Sequence, residues 1–199
     1  MNLSAALTRI QPSQTTAMTD RAIALRAEGR DIISLSVGEP DFATPPHVVA
    51  AAKAALDAGD TKYTAVGGTA RLKSAAALHF ARDLGIKVPV DQVTISAGGK
   101  QAIFHALLAT LDPGDEVLIP SPWWVSYPEI VRFAGATVVP METHAAGGFR
   151  ITPDQLSAAI TPNTRWLCST APETRPAPAI PPLTFRRSAK CSAPTRRYW

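Results

Sequence analysis

The sequence predicts an α/β protein with a mostly parallel sheet and flanking helices. Between residues 91 and 168, short apolar strand-like runs alternate with helical stretches, as expected where each parallel strand is followed by a crossover. One strand-to-helix passage is especially clear: residues 93–95 look like the end of a buried strand, and Gly98 and Gly99 permit a sharp turn. Apolar residues then recur at helical spacing as far as Leu111.

The first 60 residues predict two helices and a strand. Ser13 or Thr15 is expected to cap the first helix, and residues 31–37 form a short strand candidate. The strand ends in a Gly-Glu-Pro-Asp loop, where Gly38 is expected to hold a backbone conformation that a larger residue could not. Thr44 is expected to cap the second helix.

A polar, glycine-rich loop over residues 60–68 precedes a third helix at about 69–84. Tyr63 lies in the middle of this loop. It is interpreted either as a surface tyrosine or as a hydroxyl that contacts a ligand. The helix has one apolar face with residues four positions apart, namely Leu72, Ala76, Phe80 and Leu84.

The elements that complete the alternation follow the central helix. They are a tight turn at 112–115, strands at 116–119, 136–139 and 164–168, and helices at 125–133 and 153–160, the last capped by Thr152.

Two adjacent tryptophans, Trp123 and Trp124, follow the strand at 116–119. In open α/β sheets, ligands bind beyond the carboxyl ends of the strands, which is where this loop is expected. Neighbouring indoles in a loop cannot easily both be buried. Packing and a flat wall for an aromatic ligand therefore both remain open for the pair.

The turn at Gly98 and Gly99 leads directly into a helix that begins near Lys100. The first N–H groups of a helix lack internal partners and carry the positive end of the dipole, so an anion such as phosphate can bind there. The dinucleotide fingerprint and the P-loop pattern are both absent. A phosphate site and simple turn chemistry are both compatible with this pattern.

Composition excludes several other classes. The chain of 199 residues is 46% apolar without an apolar run near the length that crosses a membrane, and its start has no secretory pattern. Cys168 and Cys191 form neither a metal-binding nor a disulfide framework, which favours a cytoplasmic location.

The net charge of +4 does not indicate a nucleic-acid partner. Residues 170–199 hold six basic residues and one acid, whereas the preceding residues hold 14 basic and 15 acidic residues. The basicity therefore belongs to a proline-rich tail, which is expected to be irregular or disordered.

Six motifs in order resemble the class I aminotransferases of fold type I that depend on pyridoxal 5'-phosphate (PLP), especially the bacterial aspartate aminotransferases. The resemblance covers about residues 8–169. Its motifs are Ser36-Val-Gly-Glu-Pro-Asp-Phe42, Lys62-Tyr-Thr with Gly67-Gly68, Ser96-Ala-Gly-Gly-Lys-Gln-Ala102, Asp112-Pro-Gly-Asp-Glu-Val117, Ser121-Pro-Trp-Trp-Val-Ser-Tyr-Pro128 and Ala159-Ile-Thr-Pro162.

The resemblance implies a role for five residues. Backbone groups of Gly99 and Lys100 would hold the cofactor phosphate, and Trp124 would stack on the pyridine ring. Tyr63 would reach the phosphate of a partner subunit, which implies a homodimer, and Gly38 would help to seat the substrate carboxylate. The implied substrates are amino acids and 2-oxo acids, exchanged by ping-pong amino-group transfer. A metal ion is not expected.

Other family features have no match in these 199 residues. The Asn-Pro-Thr-Gly motif, the Asp for the pyridine nitrogen, the Schiff-base Lys and the later arginines are absent. Without an amine to bond the cofactor, transfer chemistry is expected to be lost. Residues 173–178 can be encoded by codons that, read from their third base, give Asn-Pro-Thr-Gly-Ala. We therefore expect a frameshift near Glu173.

The expected organisation has three parts. Residues 1–30 are an N-terminal arm and helix, residues 31–169 are an incomplete aminotransferase large domain, and residues 170–199 are an out-of-frame tail. A sheet without its later strands exposes an edge and apolar faces, so aggregation is expected. Two non-enzymatic interpretations remain: a fragment that pairs with an intact subunit, and a phosphate-binding module.

Overall fold

The computed structural model of the chain describes residues 2–169. The predicted frameshift, Cys191 and the basic tail lie outside these residues. The helices are α1 (Gln14–Ala27), α2 (Pro46–Asp57), α3 (Ala70–Asp83), α4 (Gly99–Thr110), α5 (Ser126–Ala134) and α6 (Pro153–Ala159), and the strands are β1 (Glu116–Pro120), β2 (Thr137–Met141) and β3 (Thr164–Leu167). Short 3-10 helices lie at Ala5–Arg9, Val90–Gln92 and Ala145–Gly147.

The three strands form a parallel sheet in the order β2-β1-β3. The strand order explains the placement of the helices. The chain moves from β1 to β2 in one direction and from β2 across β1 to β3 in the other, and right-handed crossovers then require connecting helices on opposite faces. Accordingly α5 and α6 pack on different faces of β1. The predicted α/β fold with a parallel sheet and flanking helices is confirmed.

The core is built around β1, whose residues Val117, Leu118 and Ile119 have no exposed surface. Side chains alternate across a strand. Val117 and Ile119 therefore meet one apolar cluster, which α4 and α5 supply, whereas Leu118 meets Met141 and Leu156 on the other face. A strand that is covered on both faces is a continuous apolar run, as parallel sheets require.

A register irregularity between β1 and β3 places an extra residue, Arg165, opposite Glu116 and Val117. Arg165 donates from Nε to the buried carboxylate of Asp115 at 2.9 Å. The other carboxylate oxygen of Asp115 accepts the backbone N–H of Asp112 at 2.9 Å. The predicted tight turn at 112–115 is thus confirmed, and its last residue also fastens β3 to the sheet.

The predicted strand at 31–37 is wrong: the described residues give it no ladder partner. The segment keeps alternating burial, since Ser34 and Ser36 are half-buried and their hydroxyls lie 2.8 Å apart. Ile33 and Leu35 point away and are 88% and 93% exposed. A strand needs backbone pairing as well as alternation, and the sequence pattern reports only the alternation.

The predicted strand end at 93–95 is also wrong, because residues 93–95 do not form a strand. Val93 is buried, and the N–H of Ile95 donates to the carbonyl of Gly67 at 3.0 Å. A Cβ on Gly68 would lie 2.7 Å from the Ile95 side chain. The glycine-rich loop therefore lies directly against this segment. The two are joined by this single backbone hydrogen bond and not by the repeated bonds of a strand ladder.

Helix starts were predicted with one error. The side chains of Ser13, Thr69 and Thr152 each accept a backbone N–H at the start of α1, α3 and α6. The expected cap at Thr44 is wrong: α2 begins at Pro46, and its N-cap residue Pro45 offers no side-chain hydrogen bond. Pro45 precedes Pro46, and the residue before a proline disfavours helical backbone. Pro45 therefore takes the N-cap position, and the helix starts two residues beyond the threonine.

None of the helices between residues 2 and 169 is both long enough and apolar enough to span a bilayer.

Candidate functional site

The loop that follows β1 carries the two tryptophans and is fixed to the end of β2. The N–H of Ser121 donates to the carbonyl of Met141 at 2.9 Å, and the hydroxyl of Thr143 donates to the carbonyl of Ser121. These bonds position the chain at the carboxyl edge of the sheet before α5 begins at Ser126. This contact of Thr143 could not be predicted from the sequence, because its partner is a backbone carbonyl 22 residues away.

The two tryptophans have different environments. Trp123 is half-buried and packs against the core cluster of β1, α4 and α5. Trp124 is 52% exposed. Packing is therefore observed for Trp123, whereas Trp124 leaves an indole face open. That Trp124 forms a wall for an aromatic ligand stays a prediction.

The turn before α4 has the geometry that the sequence indicated. Gly98 has φ 92° and ψ 160°, and α4 begins at Gly99. A Cβ on either glycine would meet nothing within 4 Å, so the space around the turn is open. The first helical N–H groups have no carbonyl within their own helix to bind, which makes this end of α4 suitable for an anion.

Gln101 strengthens this turn and was not identified from the sequence as a functional residue. Its Oε1 accepts the N–H of Ala97 at 2.6 Å, so the side chain reaches back across Gly98. A glutamine three residues after a helix cap is a known signal for such a bond and could have been recognised.

Lys100 joins the turn to the tryptophan loop. Its Nζ lies 5.9 Å from the centre of the Trp124 ring, within the range of a cation–π contact. The N-terminal end of α4 and the exposed indole of Trp124 therefore lie next to each other, although 24 residues separate Lys100 from Trp124 in sequence. Of the predicted site residues, the structure brings together Gly99, Lys100 and Trp124.

The other two predicted residues are not part of this group in the described residues. Tyr63 is fully exposed in its loop, and no hydrogen bond or ring contact joins it to Lys100 or Trp124 within residues 2–169. Gly38 is exposed with open space around it, and its φ lies outside the positive range. The expectation that Gly38 holds a backbone conformation reserved for glycine is therefore wrong.

A cleft of about 680 Å³ adjoins the turn. Residues 10–14 of the N-terminal arm form one wall, and α4 and α5 form the others. Its lining is mainly apolar, with Phe104, Ile130 and Phe133 on the helices and Lys100 at the site just described. The volume matches that of small-molecule sites.

Cys168, just beyond β3, is half-buried, and this burial raises the pKa of its thiol. Within the part of the chain that the structure describes, no group of three or more His, Cys, Asp or Glu side chains is placed to hold a metal ion.

Solved structures identify the fold. The chain matches the aspartate aminotransferase from Thermus thermophilus with maleate at a TM-score of 0.81 and 46% identity, over 84% of this chain and 44% of that one. It matches the aspartate aminotransferase from Rhizobium meliloti at a TM-score of 0.80 and 44% identity, over 84% and 42% of the two chains. The fold is that of the PLP-dependent transferases of fold type I, represented here by part of the large domain.

Sequence comparisons agree. Residues 30–174 match the family model of aminotransferase class I and II. A curated aspartate/prephenate aminotransferase from Cereibacter sphaeroides is 54% identical over 170 residues, which are 85% of this chain and 42% of the relative. The corresponding relative from Nitrosomonas europaea is 49% identical over 86% of this chain and 43% of its own length.

The chain therefore belongs to the class I and II aminotransferase family, as the motifs in its sequence indicated. It spans slightly less than half the length of the curated relatives that it matches. The family cofactor is PLP.

Proposed function

We propose that residues 2–169 form the cofactor-phosphate side of an amino-acid aminotransferase site, of the aspartate aminotransferase type. The contact between Lys100 and Trp124 supports this proposal, because it joins an open indole to a helix start that suits an anion. Amino acids and 2-oxo acids are the proposed substrates, and the proposed location of the protein is the cytoplasm. The relatives named aspartate/prephenate aminotransferase indicate dicarboxylic substrates among them.

The residues present fit PLP at two points. Open space surrounds Gly98 and Gly99, so a phosphate can approach the first N–H groups of α4. Trp124 offers an exposed face against which a pyridine ring can stack. When bound, the cofactor supplies an electron sink for amino-group transfer. In this proposal the chain holds the phosphate of the cofactor and limits the tilt of its ring.

Cofactor binding can be measured by quenching of tryptophan fluorescence during titration with PLP. Trp124→Ala is expected to weaken binding roughly threefold to tenfold, because an aromatic pair contributes about 0.5–1.5 kcal/mol beyond its buried area. Trp166→Phe is the matched control. Trp166 packs on the core and donates to Thr110 at 2.9 Å, so its replacement is expected to leave the affinity unchanged.

Two further titrations separate the proposal from a general phosphate module. Pyridoxal without the phosphate is expected to bind more weakly than PLP, and inorganic phosphate is expected to compete only at high concentration. Equal affinity for inorganic phosphate and PLP, with no effect of Trp124→Ala, would contradict a ring site and favour the phosphate module.

We also propose that these 199 residues alone do not transfer amino groups, since none of their lysines matches the Schiff-base position. Lys100 belongs to the phosphate turn. Borohydride reduction in the presence of PLP, followed by intact mass, tests this. A stoichiometric adduct on one lysine would show that an amine able to bond the cofactor is present and would overturn the proposal.

A second candidate function is a fragment that pairs with an intact aminotransferase subunit. Tyr63 is exposed, as are the larger apolar residues of α2, which are Val48, Val49 and Leu56. In this proposal Tyr63 reaches the phosphate site of the partner, as in a family homodimer. Co-purification with a tagged full-length relative tests it, and Tyr63→Phe is expected to preserve pairing. Failure to co-purify would exclude this function.

We retain the frameshift near Glu173 as a proposal, with the division into an arm (1–30), an incomplete large domain (31–169) and a tail (170–199). The family match ends at residue 174, beside the proposed position. Sequencing the gene tests the reading frame, and codons that do not yield Asn-Pro-Thr-Gly in another frame would reject it.

A further inference from the structure

The N-terminal arm forms one wall of the apolar cleft and is fastened to α5, which forms another. Arg9 ends the first 3-10 helix, and its guanidinium donates to two backbone carbonyls at the end of α5. Nε reaches the carbonyl of Arg132 at 2.9 Å, and the terminal Nη2 reaches that of Phe133 at 2.8 Å. The last carbonyls of a helix lack internal partners and carry negative potential, so a cation is well placed there.

A second bond fastens the arm two residues later. The N–H of Gln11 donates to Oε2 of Glu129 at 2.8 Å. The other oxygen of Glu129 accepts from Arg132, one turn further along α5. This ion pair fixes the carboxylate in the direction of the arm, because both of its oxygens are used. The arm is therefore bound through one charged donor and one charged acceptor.

The segment just beyond these bonds is a wall of the cleft. Residues 10–14 line it opposite Phe104, Ile130 and Phe133. The rings of Phe104 and Phe133 lie 5.7 Å apart and close one side. If the arm were released, this apolar surface would face water, so the arm gains stability from covering it as well as from its polar bonds.

We infer that residues 5–14 are a strap that closes one side of the apolar cleft, and that Arg9 and Glu129 are the positioning residues that hold it on α5. Opening the strap requires the loss of these few bonds and of its apolar cover over the cleft, but of no sheet pairing and of no fully buried residue, because the arm belongs to no sheet and none of its residues is buried. Segments with few buried contacts open at a lower free energy than the core. The strap thus regulates entry to the cleft beside Lys100, and it does so whether or not a cofactor binds there.

Thiol accessibility in the full chain tests the strap. Ile130 is 7% exposed and lines the cleft, so Ile130→Cys reports opening when Cys168 and Cys191 are replaced by alanine. In this background, adding Arg9→Ala is expected to raise the rate of alkylation about tenfold, since hydrogen bonds to a charged group are lost. Arg82→Ala is the matched control, because Arg82 lies on α3, pairs with Asp83 and does not line the cleft.

Hydrogen exchange provides an independent measurement in a chain that keeps Ile130 and both cysteines. Glu129→Ala is expected to increase exchange in residues 5–12 about tenfold, and Glu129→Gln, which retains an acceptor, is expected to increase it less. Exchange in β1 is expected to stay unchanged. Unchanged exchange in the arm for both Arg9→Ala and Glu129→Ala would overturn the strap. An equal increase in the arm and in β1 would also overturn it, because the two residues would then support the whole fold.

Discussion

Gly98 has a backbone conformation that side chains with a Cβ rarely adopt, at φ 92° and ψ 160°. Gly98→Ala is expected to lower the free energy of unfolding by about 1–3 kcal/mol, the usual cost of such strain. Urea denaturation measures the change. Gly99→Ala is the control, because Gly99 is helical with open space around it, and a small gain or no change is expected. Equal losses at both glycines would show that the turn is not the reason.

Asp115 links stability to pH. Its bond with the N–H of Asp112 and then that with Arg165 lower the pKa of the carboxyl below its ordinary value. A carboxyl with a lowered folded pKa contributes stability that is present above its unfolded pKa of about 4 and is lost as the pH falls through the folded pKa.

Asp115→Asn is therefore expected to cost about 1–2 kcal/mol at pH 7, the contribution of a charged hydrogen bond. The difference from the natural chain should shrink as the pH falls below about 4. Urea denaturation at a series of pH values measures it. Asp60→Asn, in an exposed loop, is the control and should leave stability at pH 7 nearly unchanged. A cost at Asp115 that is constant with pH would exclude the carboxylate as its source.

At the scale of elements, two threonines that each precede a proline behave differently: Thr152 caps α6, whereas Thr44 does not cap α2. Thr152 accepts the N–H of Gln155 at 3.1 Å, and Gln155 in return accepts the N–H of Thr152 at 2.8 Å. Thr44 is also a threonine shortly before a helix that begins with proline, but it is not the N-cap residue of α2.

Thr152→Ala is expected to lower the free energy of unfolding by about 1 kcal/mol, whereas Thr44→Ala is expected to leave it nearly unchanged. Thermal unfolding followed by circular dichroism compares the two. A comparable loss at both positions would mean that α2 depends on Thr44 in solution and would contradict the observed start at Pro46.

At the scale of the whole molecule, apolar residues outside the sheet region are poorly covered. Ile33 and Leu35 are 88% and 93% exposed on an extended segment without a ladder partner in residues 2–169. Extended apolar segments of this kind promote association between chains. The aggregation expected from the sequence thus has a specific candidate segment.

Replacing both residues, Ile33→Lys with Leu35→Lys, is expected to shift the chain from large assemblies toward monomer, because it removes apolar surface and adds charge. Sedimentation velocity measures the distribution. Thr61→Lys with Ser74→Lys adds the same charge at exposed polar positions and is expected to have a smaller effect. Equal effects of the two pairs would assign the change to charge alone.

The sequence by itself determined the elements whose signals are local. Caps at Ser13 and Thr152 and the buried apolar run of β1 were predictable because propensity, capping and apolar spacing act over a few residues. The motifs also identified the family.

Tertiary structure decided what depends on distant partners. Residues 31–37 alternate like a strand but have no ladder partner among residues 2–169, Trp123 packs while Trp124 stays open beside Lys100, and Arg9 reaches across 123 residues to α5. Such contacts are fixed by the packing of the whole chain, and a local pattern carries no information about which distant residue completes them.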